Sequence, residues 1–382
     1  MVSISFRSDR SAISILFVFI FSICFFLPNH LFGFHGLFLP AYGARQAGMG
    51  GAFLGMGGSV MDLQNNPSGL AKLETAMFEA GAALNRATID YNDRTYFAAD
   101  NTYFENNNRF HPVSPLPYFG YATPVSDDFA FGIALYAQGG GGGDLDGLVR
   151  RAGGETTSSG DVDTNAFITE DLQFRFLHAK LTAGGAYSIG RLRLGAAFDL
   201  SMAFNNVDRT LTVLPVSLGS HPVSYLQAPG GFHYRSDPAY APSGKVGVGY
   251  DIGNWSVAYS YSADSQLKLD GMMRVDSTDL LRQGSSRTKR TLAWPDRHSA
   301  GVSFKGSSFN INLDLHYIPW SKHFNRMVFA MDRPMVATPF GPVLPALIWN
   351  LRWRDQLVSA LGFEYRNGNF SYRAGTSYGQ TP

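Results

Sequence analysis

Hydrophobic and polar residues alternate with a period of two along most of this chain. In residues 309–317, FNINLDLHY, apolar or aromatic side chains alternate with Asn, Asp and His. Residues 129–137, 255–263, 357–365 and 370–378 follow the same pattern. Because successive side chains of a β-strand point to opposite faces, the pattern predicts strands with one apolar face. Segments of about ten such residues, separated by turns, are typical of a transmembrane β-barrel.

The alternation predicts about eleven strands, with a possible twelfth at the end of the chain. Some of them exceed the five or six residues usual for soluble sheets, which argues against a soluble β-sandwich. We therefore predict an all-β fold, a transmembrane antiparallel β-barrel formed by residues 74–382. The predicted strands are 75–91, 116–125, 129–138, 166–188, 192–209, 243–252, 254–264, 266–276, 297–305, 308–318, 356–365 and 369–379.

The links between the predicted strands fall into two classes. Short ones lie at 126–128, 253–254, 305–308 and 366–369, and the last contains Asn-Gly, the strongest short hairpin signal. Outer-membrane barrels have short turns at the periplasmic end and long loops outside, so we expect these links in the periplasm. The long, extracellular links are then 92–117, 139–162, 213–242 and 326–354.

Residues 41–73 depart from the alternation. This stretch is rich in glycine and other small residues up to Asn65, and it shows neither a period of two nor a sustained helical stripe. Glycine lets a backbone bend tightly and approach other backbone closely. Asn66 precedes Pro67 and is therefore restricted to extended or turn conformations. The sequence predicts a compact, irregular segment in front of the barrel.

The N-terminus resembles a secretory signal peptide, which we assign to residues 1–33. Arg7 and Arg10 precede the apolar run 12–27, and Pro28 ends it. A membrane helix needs about 20 apolar residues, more than this run supplies. No later run is long enough either, so strands would span the membrane. An exported barrel of this kind is expected in the outer membrane of a Gram-negative bacterium.

Composition excludes several classes of function but does not identify a reaction. The formal net charge of +1 argues against nucleic acid as a partner. Only 16% of residues are charged, against about 25% in an average soluble protein, which also argues against a water-filled porin. The histidines lack metal-ligand spacing, and the run Gly139–Gly143 lacks the Lys and Ser/Thr of a phosphate loop. We predict a non-enzyme without catalytic residues, metal or cofactor.

Several ordered motifs resemble the long-chain fatty acid transporter family of outer membranes, which includes aromatic-hydrocarbon channels. GARQAGMGGA at 43–52 and NPSGL at 66–70 match the family's GARxAGMGGA and NPAGL, with serine in place of the usual alanine. PVSDDFAFG at 124–132, YSADSQLKLDG at 261–271 and YIPWSK at 317–322 follow in order. The likeness extends over residues 34–382.

The resemblance implies a barrel of 14 strands with an N-terminal plug, the hatch, folded inside its lumen. We assign the hatch to residues 34–73 and leave open whether it gates or only fills the lumen. A hydrophobic ligand would bind in the lumen and leave sideways into the bilayer. The residues expected in the hatch or its gating are Gly43, Arg45, Gly48, Gly50, Gly51, Asn66 and Pro67; those expected to bind ligand are Phe204, Trp320, Lys322 and Arg326.

The chain departs from the family pattern in two ways. It has fewer predicted strands than 14 and lacks the usual terminal aromatic residue, so we expect either a truncated product, which we favour, or a smaller barrel. In addition, Phe204 falls at or near the position of a lumen arginine of the family. Loss of that cation leaves room for a neutral hydrophobic ligand, and Lys322 and Arg326 remain as candidates for contacting a carboxylate.

The expected function is passive uptake of hydrophobic compounds, either long-chain fatty acids or aromatic hydrocarbons. A similar head occurs in barrel proteins of secretion machinery, so the alternative is a scaffold of a protein-secretion system. Expected partners are hydrophobic small molecules and outer-membrane lipid, and the barrel is expected to be a monomer.

Overall fold

The computed structural model describes residues 36–382 apart from short gaps within that range. The predicted signal peptide, residues 1–33, lies outside the described residues. No helix in the part of the chain that the structure describes is long and apolar enough to cross a membrane. The gaps are at 87, 98–101, 112, 152–166, 214–229, 277–283, 334–335, 339–340, 344–345 and 381.

The hatch is built from short helices and turns, although its sequence shows no sustained helical stripe. Its elements are α1 (Gly43–Gly48), α2 (Asp62–Asn65) and a 3₁₀ helix (Pro67–Lys72). Hydrophobic hatch residues in and between these elements, including Phe53, Val60, Met61 and Leu63, are almost completely buried. Glycines and prolines limit each helix to one or two turns, so a helical period cannot develop.

The remainder is β-structure. In chain order the strands are β1 (Met77–Arg86), β2 (Ile89–Phe97), β3 (Thr102–Phe110), β4 (Val113–Pro124), β5 (Phe129–Arg151), β6 (Phe167–Ile189), β7 (Leu192–Val213), β8 (Gly230–Ser236), β9 (Ala239–Ile252), β10 (Trp255–Ser262), β11 (Ser265–Lys268), β12 (Gly271–Asp276), β13 (Gly284–Lys289), β14 (Thr291–Trp294), β15 (Arg297–Lys305), β16 (Phe309–Ile318), β17 (Arg326–Met331), β18 (Val336–Thr338), β19 (Gly341–Val343), β20 (Ala346–Asn350), β21 (Gln356–Asn367) and β22 (Phe370–Gly379). A single helical turn, α3 (Trp320–His323), separates β16 from β17.

Sixteen strands join into one antiparallel sheet, which forms the wall around the hatch. Its path runs from β1 through β4, β5, β6, β7, β9, β10, β15, β16 and β21 to β22. Alternation separates the two faces: in β7, Leu194 and Phe198 are exposed, whereas Arg193, Asp199 and Ser201 are buried against the interior. The apolar outer face and polar inner face confirm the predicted all-β membrane-barrel fold.

Several details of the strand prediction were wrong. Residues 254–264 and 266–276 were predicted as two separate strands, but β10 pairs with β9 and β12 pairs with β8, so β10, β11 and β12 follow one another in a single crossing of the wall. The long links predicted at 92–117, 213–242 and 326–354 also contain strands. The long link predicted at 139–162 begins as strand, since β5 continues to Arg151 and pairs with β6. Glycine and polar residues hid this extension because they break the alternation.

The predicted short links are tight turns in the structure. The turns after β9 and β21 place Gly253 and Gly368 at φ values of 58°, a left-handed conformation that favours glycine. Between β4 and β5, the Val125 N–H donates to the Phe129 carbonyl at 2.7 Å. These turns lie at one end of the wall, as the alternation of short and long links predicted.

Strands β1 and β22 are the two ends of this path, and a branch from β7 through β8 ends at β20. Among the described residues, β1 pairs only with β4 and β22 only with β21, so the ring is not closed there. An even number of antiparallel pairings separates these edges, so β1 and β22 run in the same direction. Helix α1 of the hatch contacts both of them. The hatch therefore lies beside the open seam as well as inside the wall.

Candidate functional site

The turn at Asn66 and Pro67 adopts the extended conformation that the sequence predicts. Asn66 has φ −149° and ψ 100°, and its side chain caps the 3₁₀ helix by accepting hydrogen bonds from the N–H and hydroxyl of Ser68. Asn66 Nδ2 donates to the Leu54 carbonyl at 3.4 Å. The asparagine thus joins two parts of the hatch, because its amide both donates and accepts.

Two wall glycines form a flat surface beneath this turn, which we call the socket. A Cβ atom built on Gly195 would lie 2.2 Å from the Ser68 nitrogen, and one on Gly247 would lie 1.9 Å from Asn66 Oδ1. Either contact is far inside van der Waals distance, so only glycine permits the approach. Sequence reasoning missed both residues because glycine is common throughout the strands.

Three buried cations of the wall donate hydrogen bonds to hatch carbonyl groups. Lys245 Nζ donates to the Leu63 oxygen at 2.7 Å, and Arg297 Nη2 donates to the Gln64 oxygen at 3.4 Å. Arg193 Nη1 reaches the Ser68 oxygen at 3.5 Å. These carbonyls surround the end of α2 and the start of the 3₁₀ helix, where helical geometry leaves acceptors unpaired. The wall cations supply the missing donors.

Two wall carboxylates complement the cations by accepting from hatch N–H groups. Asp314 Oδ2 accepts from the backbone of Phe53 and Leu54 at 2.7 and 2.8 Å. Glu79 Oε1 accepts from the Val60 N–H at 3.0 Å and the Ser59 hydroxyl at 2.9 Å. Hydrogen bonds from N–H groups to charged acceptors are stronger than neutral ones. Much of the attachment therefore acts on the hatch main chain.

Arg45, predicted from the family resemblance, makes a side-chain contact to the wall. Its guanidinium bonds both oxygens of the buried Glu364 carboxylate, at 3.0 and 3.2 Å. Arg366 and Arg373 share the same carboxylate, and Asn310 Nδ2 donates to it. Glu364 lies on β21, so this network ties α1 to the last two strands of the wall.

The predicted hatch glycines serve turns and close contacts around α1. Gly43 begins the helix and Gly48, beside Arg373, ends it. Gly50 has φ +64°, and a Cβ there would lie 2.4 Å from the Thr376 nitrogen of β22. Gly51 has φ +86° and faces the Pro40 carbonyl. Both positions require glycine, because residues with a side chain rarely adopt positive φ and because no space remains for a Cβ atom.

Phe38, at the start of the hatch, enters a cluster of aromatic rings inside the wall. Its ring lies edge-on to Trp294 and Trp320, with centroid distances of 5.0 and 5.6 Å, and the Arg297 guanidinium lies 5.3 Å from its centroid. Edge-to-face packing is the preferred arrangement of aromatic pairs. The aromatic cluster consists of Phe38, Phe176, Trp294, Trp320, Phe324 and Trp353.

Some polar groups in the aromatic cluster are buried without a hydrogen bond. Neither ring nitrogen of His178 has a hydrogen-bond partner in the described structure, nor does Trp294 Nε1. The two rings lie 4.6 Å apart. Buried donors without partners are unusual and costly, so they mark a place where a polar group or water fits. Trp320, by contrast, donates to Gln356 Oε1 at 3.1 Å.

The four predicted ligand-binding residues occupy different surroundings. Trp320 is fully buried in the aromatic cluster. Phe204 is exposed on the outer face of β7, since its neighbours Ala203 and Asn205 occupy the inward positions. Lys322 is exposed and lies 3.6 Å from Asp296. Arg326 is exposed at the start of β17. The structure brings only Trp320 into the interior.

A split opens in the wall between β4 and β5. The two strands pair from Pro124 and Ala130 to Tyr118 and Tyr136, and beyond that point β6 is the one described strand that pairs with β5. The register of β5 shifts between Ala137 and Gly139, as a β-bulge would cause. Phe38 of the hatch bridges to Gly139 at this place. The bulge turns the strand away from its neighbour.

A groove of about 530 Å³, the side groove, lies along this split. Its glycines leave the backbone of β5 uncovered by side chains, and its other residues come from both faces of the wall. Phe176 of the aromatic cluster and Phe204 of the outer face both line it. It is lined by Phe110, His111, Val113, Pro115, Leu116, Gly140–Asp144, Phe174–Leu177 and Phe204.

Titratable residues are also buried in the hatch. The pKa of Asp62 is raised to about 7, mainly by burial and also by the nearby charge of Glu79, while hydrogen bonds from the Ser59 and Gly58 backbone oppose the rise. Among the described residues, no group of three or more His, Cys, Asp or Glu side chains is arranged to hold a metal ion. The absence of catalytic residues, metal and cofactor remains a prediction.

Comparison with known proteins identifies the fold independently. The chain superposes on a Pseudomonas aeruginosa FadL homologue with a TM-score of 0.68 at 14% identity, covering 91% of this chain and 82% of that one. The Pseudomonas putida toluene transporter TodX superposes with a TM-score of 0.61 at 18% identity, covering 90% of this chain and 85% of TodX. The Ralstonia pickettii toluene transporter TbuX superposes with a TM-score of 0.58 at 19% identity, covering 90% of this chain and 87% of TbuX.

Sequence comparison gives the family. No curated protein matches the chain significantly. The sequence profile described as "Outer membrane protein transport protein (OMPP1/FadL/TodX)" matches residues 41–382, which include most of the hatch and the whole described wall. Its extent agrees with the fold and with the motifs of the hatch. The chain therefore belongs to the OMPP1/FadL/TodX family of outer-membrane transport proteins.

Proposed function

We propose that this protein conducts neutral hydrophobic compounds passively across the outer membrane, binding them at the aromatic cluster and releasing them sideways. The observation that carries the proposal is the side groove at the split between β4 and β5, which is lined both by Phe176 of the aromatic cluster and by Phe204 of the outer face. A hydrophobic compound leaving there enters the bilayer and never crosses the polar turns beneath the hatch.

The aromatic cluster supports an aromatic or otherwise apolar ligand. Phe38 already occupies a place that a small aromatic ring would fit, held between Trp294 and Trp320. Ligand sites are mostly apolar with a few polar groups that fix orientation, and His178 and Trp294 Nε1 offer such groups. A ligand that displaces Phe38 would free the segment that bridges to Gly139 beside the split.

The buried cations favour a neutral ligand over a carboxylate. Lys245 Nζ lies within hydrogen-bond distance of the Leu63 oxygen, Tyr136 Oη and Asp199 Oδ1, which together occupy its three hydrogens. Lys180 pairs with the same aspartate at 3.1 Å. A fatty-acid carboxylate would have to break these bonds, whereas an aromatic hydrocarbon leaves them intact. TodX and TbuX, described as toluene transporters, share this fold.

The lateral route can be blocked at a position with room for a side chain. A Cβ built on Gly143 would have no atom within 4 Å, and Gly143 lines the side groove. Gly143→Trp should fill the groove without moving the backbone and lower toluene uptake at least tenfold. Gly143→Ala is the matched control, and it should transport like the wild type.

Uptake of labelled toluene and oleate by a deletion strain carrying each variant provides the measurement. Toluene binding to the purified protein, followed by tryptophan fluorescence, should survive Gly143→Trp because the aromatic cluster is untouched. Normal uptake by Gly143→Trp would overturn lateral release through the side groove. Uptake of neither compound by the wild-type protein would overturn the transport function itself.

A further inference from the structure

Arginine residues form a row across the outer face of the wall. The register pairs Arg175 of β6 with Asn206 of β7, and Asn206 with Arg235 of β8. Arg235 pairs in turn with Met272 of β12, which pairs with Arg287 of β13. Five adjacent strands therefore carry three arginines at alternate places in one cross-strand line. We call Arg175, Arg235 and Arg287 the arginine row.

All three side chains point away from the lumen. The residues next to them along the strands, Phe176, Tyr234 and Ser286, are buried on the inner face. Since successive side chains alternate between faces, the arginines face outward. The side chains of Arg235 and Arg287 are 69% and 52% exposed to solvent, so both are accessible from outside.

On β6 and β7 the arginine row lies at the upper limit of the apolar outer surface, and at the end of β8 and on β13 the exposed Asp237 and Lys289 lie directly below it. Immediately below it in register, Leu177 pairs with Phe204, and further down β7 the outward residues are Leu200 and Phe198. Immediately above it, Asp208 pairs with His233. The outward surface changes from apolar to polar within two residues, as it does where hydrocarbon ends and lipid headgroups begin.

We propose that the arginine row binds the phosphate groups of the phosphorylated glycolipid in the outer leaflet of the outer membrane. Arginine is suited to this because its planar guanidinium donates two parallel hydrogen bonds to a phosphate. Neighbouring strands are about 4.8 Å apart, so successive members of the row stand about 10 Å apart. Two arginines can therefore hold two phosphates of one headgroup. Arg175 also lines the side groove, whereas Arg235 and Arg287, which the test below changes, are not among the residues that line it.

The surface above the arginine row fits the sugar part of such a headgroup. A groove of about 460 Å³ there is lined by polar and charged residues of both signs: Asp146, Asp171, Gln173, Asp208, Thr210, His233, Arg235 and Arg274. Asp208 Oδ2 lies 3.8 Å from Arg235, too far for a hydrogen bond, so the guanidinium can turn toward a ligand. Arg287 contacts Asp237 at 2.6 Å, which fixes its position at the edge of the row. Carboxylates and guanidinium groups side by side can bind sugar hydroxyls and phosphates together.

Lipid binding to the purified protein in detergent tests the proposal, with native mass spectrometry counting retained lipid. The probes are diphosphorylated lipid A, the same lipid A without phosphates, and phosphatidylglycerol. Arg235→Ala/Arg287→Ala should bind diphosphorylated lipid A at least tenfold more weakly than wild type. Arg191→Ala/Lys305→Ala, which removes two exposed cations near the short turns, is the matched control and should bind normally.

Each outcome decides the question. A tenfold loss confined to the row variant and to the phosphorylated probe supports the site, and Arg235→Lys/Arg287→Lys should then recover part of the affinity. An equal loss in the control variant, or equal binding of phosphatidylglycerol, would show a general attraction for anionic lipid and overturn the proposal. Unchanged binding by the row variant would do so directly. Heat-modifiable migration on electrophoresis verifies that each variant is folded.

Discussion

Single charged side chains explain how a small segment stays folded inside the wall. The hatch is only partly helical and leaves many backbone groups unpaired, which would be costly in a buried position. Lys245 and Asp314 supply the missing partners from β9 and β16. Arg45 could be selected from the sequence, because it belongs to a motif. Glu364, its partner 319 residues away, could not be found because nothing local marks it.

Asp62 should make docking of the hatch depend on pH. Its pKa in the folded protein is about 7, raised mainly by burial from an ordinary value of 3.8. The docked hatch therefore holds this proton more tightly than the undocked one, so the contribution of Asp62 to docking is most favourable below pH 4. It weakens as pH rises from about 4 to 7, by up to about 4 kcal/mol.

Hydrogen–deuterium exchange of residues 59–70 at pH 5 and pH 8, corrected for intrinsic rates, measures this effect. The wild-type hatch should be better protected at pH 5. Asp62→Asn should remove the difference, whereas Asp127→Asn, in the exposed turn between β4 and β5, should keep it. Equal protection of the wild type at both pH values would contradict the assignment.

At the scale of elements, alternation predicted where strands lie but not where they stop pairing. Strand β5 was expected at 129–138, where apolar side chains alternate, and the structure extends it through a glycine run. The split from β4 follows from the bulge near Gly139. A bulge adds one residue without altering composition, so the sequence carries no sign of the split. The alternation likewise gave no sign of the helical turn α3, which interrupts the wall between β16 and β17.

The socket gives an element-scale prediction. Gly247→Ala should push the Asn66 turn off β9, because the new Cβ would meet Asn66 Oδ1 at 1.9 Å. Gly244→Ala, on the same strand, meets only the Ala197 oxygen at 3.5 Å and is the matched control. In planar bilayers Gly247→Ala should show severalfold more frequent open events than the control. Equal conductance of the two variants would mean that the turn adapts without lifting.

For the whole molecule, the sequence predicted the order of parts: a leader, a hatch and a membrane barrel. It could not show the placement of the hatch against the seam, since α1 contacts β1 and β22, which are nearly 300 residues apart in the chain. The predicted ligand residues illustrate the same limit. Only the fold decides which face a strand residue occupies, and Phe204 occupies the outer one.

A cross-link can decide whether the hatch moves as a body during transport. A Cβ on Gly48 would lie 3.0 Å from that of Arg373, close to disulfide geometry. Gly48→Cys/Arg373→Cys should therefore lock α1 to β22 when oxidised. Because the side groove lies at β4 and β5, we expect uptake of toluene to be unchanged by the lock.

Arg373→Cys alone is the control, since it loses the contact with Glu364 without forming the cross-link. If oxidation lowered uptake in the double variant, and a reductant restored it, the hatch would have to act as a moving gate. Movement confined to the segment around Phe38 predicts no difference between the oxidised and reduced protein.

The attachment of the hatch through its main chain has an evolutionary consequence. Lys245 and Arg297 contact backbone carbonyl groups, which every amino acid possesses, and Asp314 contacts backbone N–H groups, which every amino acid except proline possesses. Substitutions in the hatch can therefore accumulate as long as its path and its glycines are kept. Hatches should therefore be exchangeable between distant relatives as modules. The wall would still form its hydrogen bonds to the hatch backbone, while the residues facing the ligand diverge.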